Sequence, residues 1–581
     1  MVSVPPRWIG PEVSVEEGNL LRRALGERPS LNDERDSRAR DLLNQPTSRR
    51  LLRESSAMPG AVEVAGRLER AIVDGRPLAI YGDYDADGIT ATAVLWRVLK
   101  TAYPQADMRR YVPHRIEEGY GLNEGALRKL RSEGVQTVVT VDCGASALGP
   151  SRVAREVGLE LLITDHHDVE PAGIAEVDAI AHPALPGREH APFTKVCGAA
   201  VAFKVAHAFA MCTGKHAARC MDETLEECIQ LVAIGTVADV VPLEDENRVF
   251  VARGLELMRS TGVVGLRALL DDALEDKRRR VDAADVGFRL GPRLNAVGRL
   301  GHAEDAVELL VTPDKDRARE IVARLSGLNE LRRRMDAEAF AQACARVDSD
   351  PSLLDAGAIV LADAGWHEGI VGVVAAKVAE RYGRPAILLS LREDGTAKGS
   401  GRSVDGIDLL ATVRASAGSM LLRGGGHAFA MGLTIRAVDV RGFADLVSDA
   451  CRAATGGLPV GRVLRFDGDA SCGDFTPAAV RALDRLRPYG RGNPQPTFRL
   501  RDVRPLAPPR RFGKDGSHLE FHLPGGLRAI IWRAADEDVA KVRQGVPIDL
   551  LVRPSMASFA GIEHVQLEAA SVRAAEPARL R

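Results

Sequence analysis

The chain has 581 residues, a formal net charge of −2, 45% hydrophobic residues and 27% charged residues. This length is too great for one hydrophobic core and predicts several domains with the composition of a soluble globular protein. The longest apolar stretch, 197–212, carries Lys204 and His207, and the N-terminus has no apolar run, which argues against a signal peptide and a membrane span. Eight cysteines without a C-x-x-C pair fit a reducing cytoplasm and argue against a disulfide framework or a zinc module.

The first elements end in an acidic turn. Residues 1–50 are polar and Arg-rich and are interpreted as an N-terminal arm or capping segment. Residues 58–74 have helical spacing. The apolar run 78–81 then predicts a strand, followed by a turn with Asp83, Asp85 and Asp87 and by a helix over 89–99. Helix capping would require one or two aspartates. Three carboxylates within five residues favour a cation, because their like charges otherwise repel.

Two further strands deliver polar side chains to their C-terminal ends. The β-branched run 136–141 ends at Asp142, and the apolar run 161–164 ends at Asp165, His166 and His167. A single aspartate after a strand is often only a turn former, and a polar loop is the alternative for the Asp-His-His sequence. Because polar side chains follow several predicted strands in the same way, the pattern favours a functional site.

The alternation of strands and helices up to about residue 240 predicts a parallel sheet with helices on both faces. An apolar helix over 223–238 ends at Asp239, a carboxylate at the edge of a hydrophobic element that requires a cation, an arginine or several N–H donors. Five side chains can then meet at one sheet edge: Asp83, Asp85, Asp142, His166 and Asp239. Oxygen and imidazole ligands without thiolates suit Mn²⁺ or Mg²⁺, and four carboxylates suggest two ions. Paired ions are a standard device for phosphoester hydrolysis.

These motifs resemble, in order, the four signature motifs of the DHH phosphoesterase superfamily: 83–88, 141–142, 165–167 and 235–239. Later segments resemble one branch, the RecJ single-strand DNA exonucleases, at 291–299, 399–403 and 423–427. The resemblance implies that the five side chains are metal ligands, with Asp142 and Asp239 bridging. It also implies that His167 and Asp165 are catalytic residues, and that His167 holds the scissile phosphate or orients the site. Asp87 is expected to cap a helix. Ala79 stands where the pyrophosphatase relatives carry a histidine, which argues against that branch.

Residues that would bind the DNA phosphates lie farther along the chain. The loop 111–123 places a cation, Arg115, near an aromatic ring, Tyr120, although a solvated loop is the alternative. Guanidinium groups suit phosphate, and Arg293 and Arg299 are flanked by glycine and proline in the segment that also holds Asn295. The resemblance implies that the DNA 5′ end is received by Arg115, Arg293, Arg402 and Ser403.

The middle of the chain predicts a long connecting helix over 316–347 and then a second α/β unit. Two glycine-rich turns are expected in this unit, at 399–403 and at 424–427, where His427 adds a donor for an anion. The resemblance identifies the unit as a DHHA1 domain that closes a cleft over the metal site.

The last part of the chain predicts a small β-barrel of the OB type, with strands at 463–466, 497–500, 519–523, 527–532, 548–552 and 565–570. Basic residues and aromatic rings between Arg481 and Trp532 are typical of single-strand binding. About half of the aromatics are expected in the barrel core. Phe512 and Trp532 are the candidates for base stacking, and Phe512 is expected to be exposed.

The sequence thus predicts an α/β fold of two lobes joined by a long helix around a cleft, plus a C-terminal OB-like barrel. The expected divisions are 1–50, 51–315, 316–350, 351–458 and 459–575. The resemblance implies a two-metal exonuclease that degrades single-stranded DNA 5′ to 3′ in recombination and repair. It is expected to be monomeric and cytoplasmic, without a membrane partner, and the resemblance allows a single-strand-binding protein and a helicase as further partners.

Two alternatives stay open at this stage. One is an oligoribonuclease or cyclic-dinucleotide phosphodiesterase of the same superfamily, which would lack the last domain and could be distinguished by deleting residues after about 460. The other is a replication scaffold with a relic domain, which retention of all five ligands argues against.

Overall fold

The computed structural model describes residues 6–11, 20–28, 31, 36–115, 117–169, 173–185, 195–215, 218–276, 280–456, 458–513, 515–559 and 562–575. The chain forms two compact units. The larger unit comprises Gly10–Ser326 and Phe466–Arg581, and the smaller unit comprises Met1–Ile9 and Gly327–Arg465. No helix among these described segments is both long and apolar enough to cross a membrane.

The strands in chain order are β1 (Arg7–Ile9), β2 (Leu78–Tyr81), β3 (Met108–Tyr111), β4 (Thr137–Val141), β5 (Glu160–Thr164), β6 (Ala179–Ala181), β7 (Ile359–Asp363), β8 (Ala386–Leu391), β9 (Thr396–Arg402), β10 (Arg423–His427), β11 (Ala430–Arg436), β12 (Val463–Arg465), β13 (Gly468–Asp469), β14 (Phe498–Val503), β15 (Arg510–Phe512), β16 (His518–Leu523), β17 (Leu527–Ile531), β18 (Ile548–Phe559) and β19 (Ile562–Ala574).

The α-helices are α1 (Leu20–Gly26), α2 (Ser37–Asn44), α3 (Ala61–Val73), α4 (Ala86–Ala102), α5 (Glu124–Ser132), α6 (Leu148–Glu156), α7 (Gly198–Cys212), α8 (Arg219–Ala238), α9 (Asp245–Leu257), α10 (Val264–Ala273), α11 (Ala283–Asp285), α12 (Gly291–Leu300), α13 (Glu304–Val311), α14 (Lys315–Ser349), α15 (Pro351–Leu354), α16 (Val371–Tyr382), α17 (Leu409–Ala417), α18 (Val440–Thr455), α19 (Pro477–Leu483) and α20 (Asp536–Lys541).

A parallel sheet with the strand order β3-β2-β4-β5-β6 organises the first part of the larger unit. Strands β2 and β4 are buried throughout, because apolar and β-branched residues face helices on both sides. From β2 the chain moves outward to β3 and returns on the other side for β4. The gap beyond the C-terminal ends of β2 and β4 is therefore the switch point where α/β sheets bind ligands.

The C-terminal domain is built on a sheet with the strand order β13-β14-β18-β19-β17-β16-β15. Its core is shared with the N-terminal segment: Leu20 and Leu43 pack in one cluster with Phe498 and Phe521. Helices α1 and α2, which lie within the predicted arm or capping segment, thus bury their leucines against a domain that lies more than 400 residues later.

The smaller unit contains a mixed sheet with the order β10-β11-β9-β8-β7. Helix α14 spans Lys315–Ser349, close to the predicted connecting helix, and the boundary between the units falls within it. Two predictions are wrong here. The glycine-rich segments 399–403 and 424–427 lie mainly in β9 and β10, because glycine is compatible with a strand wherever neighbouring strands supply the packing. Residues 463–465 pair with β1, so they do not belong to the barrel.

Candidate metal centre

The acidic turn after β2 places two carboxylates at the switch point. Asp83 is buried, and Asp85 caps α4 by accepting hydrogen bonds from the N–H groups of Asp87 and Gly88 at 2.9 and 3.0 Å. Helix α4 begins at Ala86, three residues before the predicted start, so Asp87 lies inside its first turn.

Asp87 holds a neighbouring helix in place. Its carboxylate accepts hydrogen bonds from the N–H groups of Gly198 at 2.6 Å and Ala199 at 2.9 Å, which open α7. Asp87 therefore caps the N-terminus of α7, whereas the prediction was that it caps its own helix, α4. Burial, followed by the charge of Asp85, raises the pKa of Asp87 to about 6.

The loop after β4 contributes Asp142 in a strained conformation. Its backbone has φ 64°, in the left-handed region that is costly for a side chain other than glycine. In this conformation Asp142 is 1% exposed. A β-carbon on Gly198 would lie 2.4 Å from Asp142 Oδ1, so only glycine at this helix start allows the approach.

The strand β5 delivers the two histidines. His166 Nε2 lies 3.0 Å from Asp142 Oδ1 and 3.8 Å from Asp239 Oδ2. Asp239 follows the last residue of α8, so an imidazole and two carboxylates from three separate elements face one another. Burial, followed by the charge of His167, lowers the pKa of His166 to about 3. The ring is therefore neutral and offers a lone pair, as a metal ligand must.

The side chains form groups with the spacing of metal ligands. The groups, each with ligand atoms within 4.8 Å of one another, are Asp83/Asp85/Asp142, Asp142/His166/His167 and Asp87/His166/Asp239. Asp142 is shared between two of them, which provides for adjacent cations. Within the described residues, the five predicted ligands are thus brought together, and the structure adds Asp87 beside them.

The buried carboxylates offer oxygen atoms that a cation could bind. Oδ1 of Asp83 and Oδ1 of Asp142 are buried and accept no hydrogen bond from the described residues. Burial, followed by the charges of neighbouring aspartates, raises the pKa of both groups well above the usual range, and the same causes raise that of Asp239 to about 8. Hard oxygen donors with an imidazole fit Mn²⁺ or Mg²⁺, so the residues present suit the predicted ions.

His167 and Asp165 form a separate hydrogen-bonded pair. Asp165 accepts hydrogen bonds from His167 Nδ1 and from the N–H of Ala145, both at 2.8 Å. Although burial opposes ionisation, these bonds lower the pKa of Asp165 to about 2. Burial would also lower the pKa of His167, but the bond with Asp165 raises it to about 9. The Tyr120 hydroxyl lies 3.0 Å from His167 Nε2 and completes the chain.

Helix α12 supports the acidic turn from behind. The side-chain oxygen of Asn295 accepts a hydrogen bond from the Ala86 N–H at 2.8 Å. One turn later, a β-carbon on Gly298 would lie 2.3 Å from the carbonyl oxygen of Tyr84. Asn295, predicted to bind DNA phosphate, lies against the acidic turn, a position that local sequence patterns do not reveal.

The predicted phosphate-binding arginines differ in their surroundings. The Arg115 guanidinium lies 4.8 Å from the ring centre of Tyr84, beside the acidic turn. Arg299 contributes a positive charge near the same tyrosine. Arg293 forms an ion pair with Asp272 at 3.0 Å and also donates to Ser326.

In the smaller unit, the three predicted anion-binding side chains lie on or next to the strands β9 and β10. Arg402 Nη1 donates to Ser400 Oγ at 2.6 Å, and the hydroxyl of Ser403 donates to the Ile407 carbonyl at 2.7 Å. His427 is exposed at the end of β10.

The C-terminal domain carries an aromatic cluster of Phe512, His518 and Trp532. Trp532 is 46% exposed, whereas Phe512 is half-buried against the other two rings, so the prediction that Phe512 is exposed is wrong. Phe498 and Phe521 are core residues, in line with the expectation that about half of the aromatics fill the barrel. His518 was not singled out in the sequence, because a lone histidine carries no stacking signal.

Three family models match the chain. They are described as the DHH family, N-terminal domain, over residues 77–236, the DHHA1 domain over 355–453, and the RecJ OB domain over 466–571.

Similar proteins cover most of the chain. The single-stranded-DNA-specific exonuclease RecJ of Bacillus subtilis is 38% identical over 470 residues, which cover 80% of this chain and 57% of that protein. The chain therefore spans somewhat more than half of that relative. The RecJ of Dickeya dadantii is 34% identical over 495 residues, covering 82% of this chain and 83% of that protein.

Two solved structures are similar to the chain over nearly its whole length. The crystal structure of RecJ in complex with Mn²⁺ from Thermus thermophilus matches with a TM-score of 0.79 and 30% identity, over 98% of this chain and 80% of that chain. The Mg²⁺ complex of the same protein matches with a TM-score of 0.73 and 29% identity, over 98% and 79% of the two chains.

Proposed function

This chain belongs to the RecJ family of single-stranded-DNA-specific exonucleases, and we propose that it hydrolyses single-stranded DNA from the 5′ end with two Mn²⁺ or Mg²⁺ ions. The observation that carries the proposal is the convergence of carboxylates on one neutral imidazole, with buried oxygens on Asp83 and Asp142 that accept no hydrogen bond from the described residues.

Asp83, Asp85, Asp142, His166 and Asp239 would hold the cations, and Asp87 lies beside them as the anchor of α7. When bound, such ions lower the pKa of water and stabilise negative charge on phosphorus. The loops after β2, β4 and β5 and the end of α8 hold the ligands in place before substrate arrives, so little reorganisation is required at the moment of reaction.

His167 acts on the scissile phosphate. Although burial lowers the pKa of His167, the hydrogen bond with Asp165 raises it to about 9, which favours the protonated ring. Asp165 fixes its orientation from one side, and the Tyr120 hydroxyl meets it from the other. A positively charged donor held in this way stabilises the negative charge that develops on a phosphoryl oxygen.

The DNA backbone is bound by basic and polar side chains of both units. Arg115, stacked on Tyr84, is assigned to the terminal phosphate, with Arg299 near the same ring. Arg293, Arg402, Ser403 and His427 are assigned to further phosphates, and Trp532 with Phe512 to base stacking. We assign Asn295 to support of the acidic turn. We further propose that the chain is a monomer in the cytoplasm and that it acts together with a single-strand-binding protein and a helicase.

The test is directional degradation of a labelled strand. A single-stranded 60-mer carrying different fluorophores at its two ends is incubated with Mn²⁺ and the full chain. The 5′ label is expected in mononucleotides at the earliest times, and a duplex of the same sequence is expected to resist. Asp142→Asn and His166→Ala are expected to abolish release. Release from the 3′ end alone contradicts the polarity, and cleavage restricted to dinucleotides favours the oligoribonuclease alternative.

A further inference from the structure

A loop at the entry to the C-terminal domain is fixed directly behind the metal ligand Asp239. The N–H of Leu243 donates a hydrogen bond to the carbonyl of Arg491 at 2.7 Å. The glycine before Arg491 and the one after it allow this contact: a β-carbon on Gly490 would lie 2.6 Å from Leu243 Cδ1, and one on Gly492 would lie 3.0 Å from Pro242 Cβ. The backbone of Arg491 is thus positioned without any contribution from its side chain.

The Arg491 side chain returns toward the metal centre. Its Nη1 donates to the carbonyl oxygen of Val240 at 3.3 Å, and Val240 directly follows Asp239. The guanidinium is close enough to Asp239 for its charge to oppose the rise in the pKa of that carboxyl group. Arg491 is exposed, and among the described residues it forms no ion pair and makes this single side-chain hydrogen bond.

Other arginines of the larger unit are engaged differently. Arg248 is fully buried and donates to the main-chain carbonyls of Leu42, Leu486 and Arg485, a purely structural role. Arg293 is paired with Asp272. A guanidinium has five N–H donors, and the weak contact with Val240 leaves most of those on Arg491 available to solvent or to a ligand.

The electrostatics favour an anionic ligand. The Asp239 carboxylate lies near Arg491, yet the hydrogen-bond partner of the guanidinium is a neutral carbonyl, so the guanidinium stays at the rim of the acidic cluster. A carboxylate oxygen of Glu244 also lies by this loop, 2.9 Å from the position of a β-carbon on Gly492. Once cations neutralise the acidic cluster, a phosphate of a bound polynucleotide is an anion that the Arg491 guanidinium can bind. The fork of N–H groups matches the geometry of phosphate oxygens.

We propose that Arg491 is a phosphate-binding residue of the active centre, which the C-terminal domain supplies for a phosphodiester next to the scissile one. This inference rests on the proposed function. It gives the C-terminal domain a direct part in substrate binding at the metal centre, in addition to holding the strand on its own surface.

The test compares Arg491→Met with Arg491→Lys and with Arg128→Gln, an exposed arginine of α5 that pairs with Glu156 and serves as the control for loss of one surface charge. Steady-state rates on 5′-phosphorylated single strands are measured at several salt concentrations. For Arg491→Met, we expect KM to rise about tenfold with little change in kcat, because one charge-assisted hydrogen bond is lost. The slope of log(kcat/KM) against log salt is expected to shrink by about 0.7, the value for one single-strand phosphate contact. Arg491→Lys is expected to retain most of that slope.

A binding measurement makes the result independent of cleavage. The anisotropy of a labelled phosphorothioate 12-mer, which resists hydrolysis, is expected to report about tenfold weaker binding for Arg491→Met and unchanged binding for Arg128→Gln. Equal KM, salt slope and binding for these two variants overturn the inference. A lowered melting temperature of Arg491→Met with an unchanged salt slope also overturns it, because the side chain is then only a structural tie. If the wild type binds the 12-mer but does not shorten single strands, the proposed function fails while the role of Arg491 in binding is still decided.

Discussion

The side-chain oxygen of Asn295 accepts a hydrogen bond of 2.8 Å from the main-chain N–H of Ala86. Ala86 is the first residue of α4 and follows the candidate ligand Asp85, whose carboxylate caps the same helix. The first N–H groups of a helix have no partner within the helix. Asn295 accepts from the N–H of Ala86, and Asp85 accepts from those of Asp87 and Gly88. The asparagine is a support of the metal-binding turn.

Asn295→Ala is expected to weaken metal binding while DNA binding is unchanged. Loss of an outer-shell partner typically costs about tenfold or more in metal affinity, so the Mn²⁺ concentration for half-maximal activity should rise by about that factor. KM for DNA should stay constant. Asn295→Asp retains the acceptor and should restore the metal response. If Asn295 instead touches DNA, both variants will raise KM, and the aspartate will do so more strongly because it repels phosphate.

The sequence was informative wherever a side chain and its local pattern act together. Each candidate ligand follows an apolar run or an apolar helix, so the positions of Asp83, Asp142, His166 and Asp239 could be anticipated at one sheet edge. Long-range partners could not be anticipated. The bond from Asn295 to Ala86 spans 209 residues, and the leucines of α1 pack against strands near the other end of the chain. The glycine-rich segments of β9 and β10 are predicted as turns, because glycine has no side chain and so contributes to neither the helical nor the strand pattern of apolar residues.

Gly198→Ala is expected to disrupt the metal centre through packing alone. The added methyl would lie 2.4 Å from Asp142 Oδ1 and 2.6 Å from its Cβ, so either α7 or the strained Asp142 must move. Overpacking of this kind costs roughly 1–3 kcal/mol of folding free energy. Mn²⁺ binding measured by calorimetry should weaken together with the melting temperature.

The matched control is Gly66→Ala, which lies inside α3 with no atom within 4 Å of the new methyl group. Alanine has the higher helix propensity, so this variant should be neutral or more stable by about 0.5 kcal/mol. A Gly198→Ala protein with wild-type metal affinity would show that Asp142 is not held against α7 as described.

Metal removal is expected to make stability depend strongly on pH. The pKa of Asp239 is raised from 3.8 to about 8, and those of Asp83 and Asp142 are raised as well. The folded metal-free protein therefore keeps protons that the unfolded chain releases above about pH 4. With more protons bound in the folded state, its stability falls as the pH rises toward 8. Melting temperatures in EDTA should follow this trend.

Cations replace those protons, so Mn²⁺ should raise the melting temperature more at pH 8 than at pH 5. At a hundredfold excess over its dissociation constant, one bound ion contributes about 2.7 kcal/mol. Asp239→Asn removes one of the titrating groups and should reduce both the pH dependence in EDTA and the effect of Mn²⁺. Identical melting temperatures with EDTA and Mn²⁺ at pH 8 would contradict the metal site.

Trp532→Ala is expected to weaken the hold on long strands and to leave short substrates unaffected. Trp532 is the most exposed ring of the cluster with Phe512 and His518, and stacking of one base on such a ring is worth about 1–3 kcal/mol. KM for a 60-mer should therefore rise, whereas we expect hydrolysis of a trinucleotide, which has few bases beyond the reacting one, to stay unchanged. Ile562→Ala is the matched control, because this side chain is 72% exposed in the same domain but has no aromatic face. Trp532→Ala is a sharper test than deletion of residues after about 460, because the deletion would remove Phe498 and its neighbours from the core shared with α1 and α2. Equal losses in the two variants, or a loss on trinucleotides, would refute base stacking at Trp532.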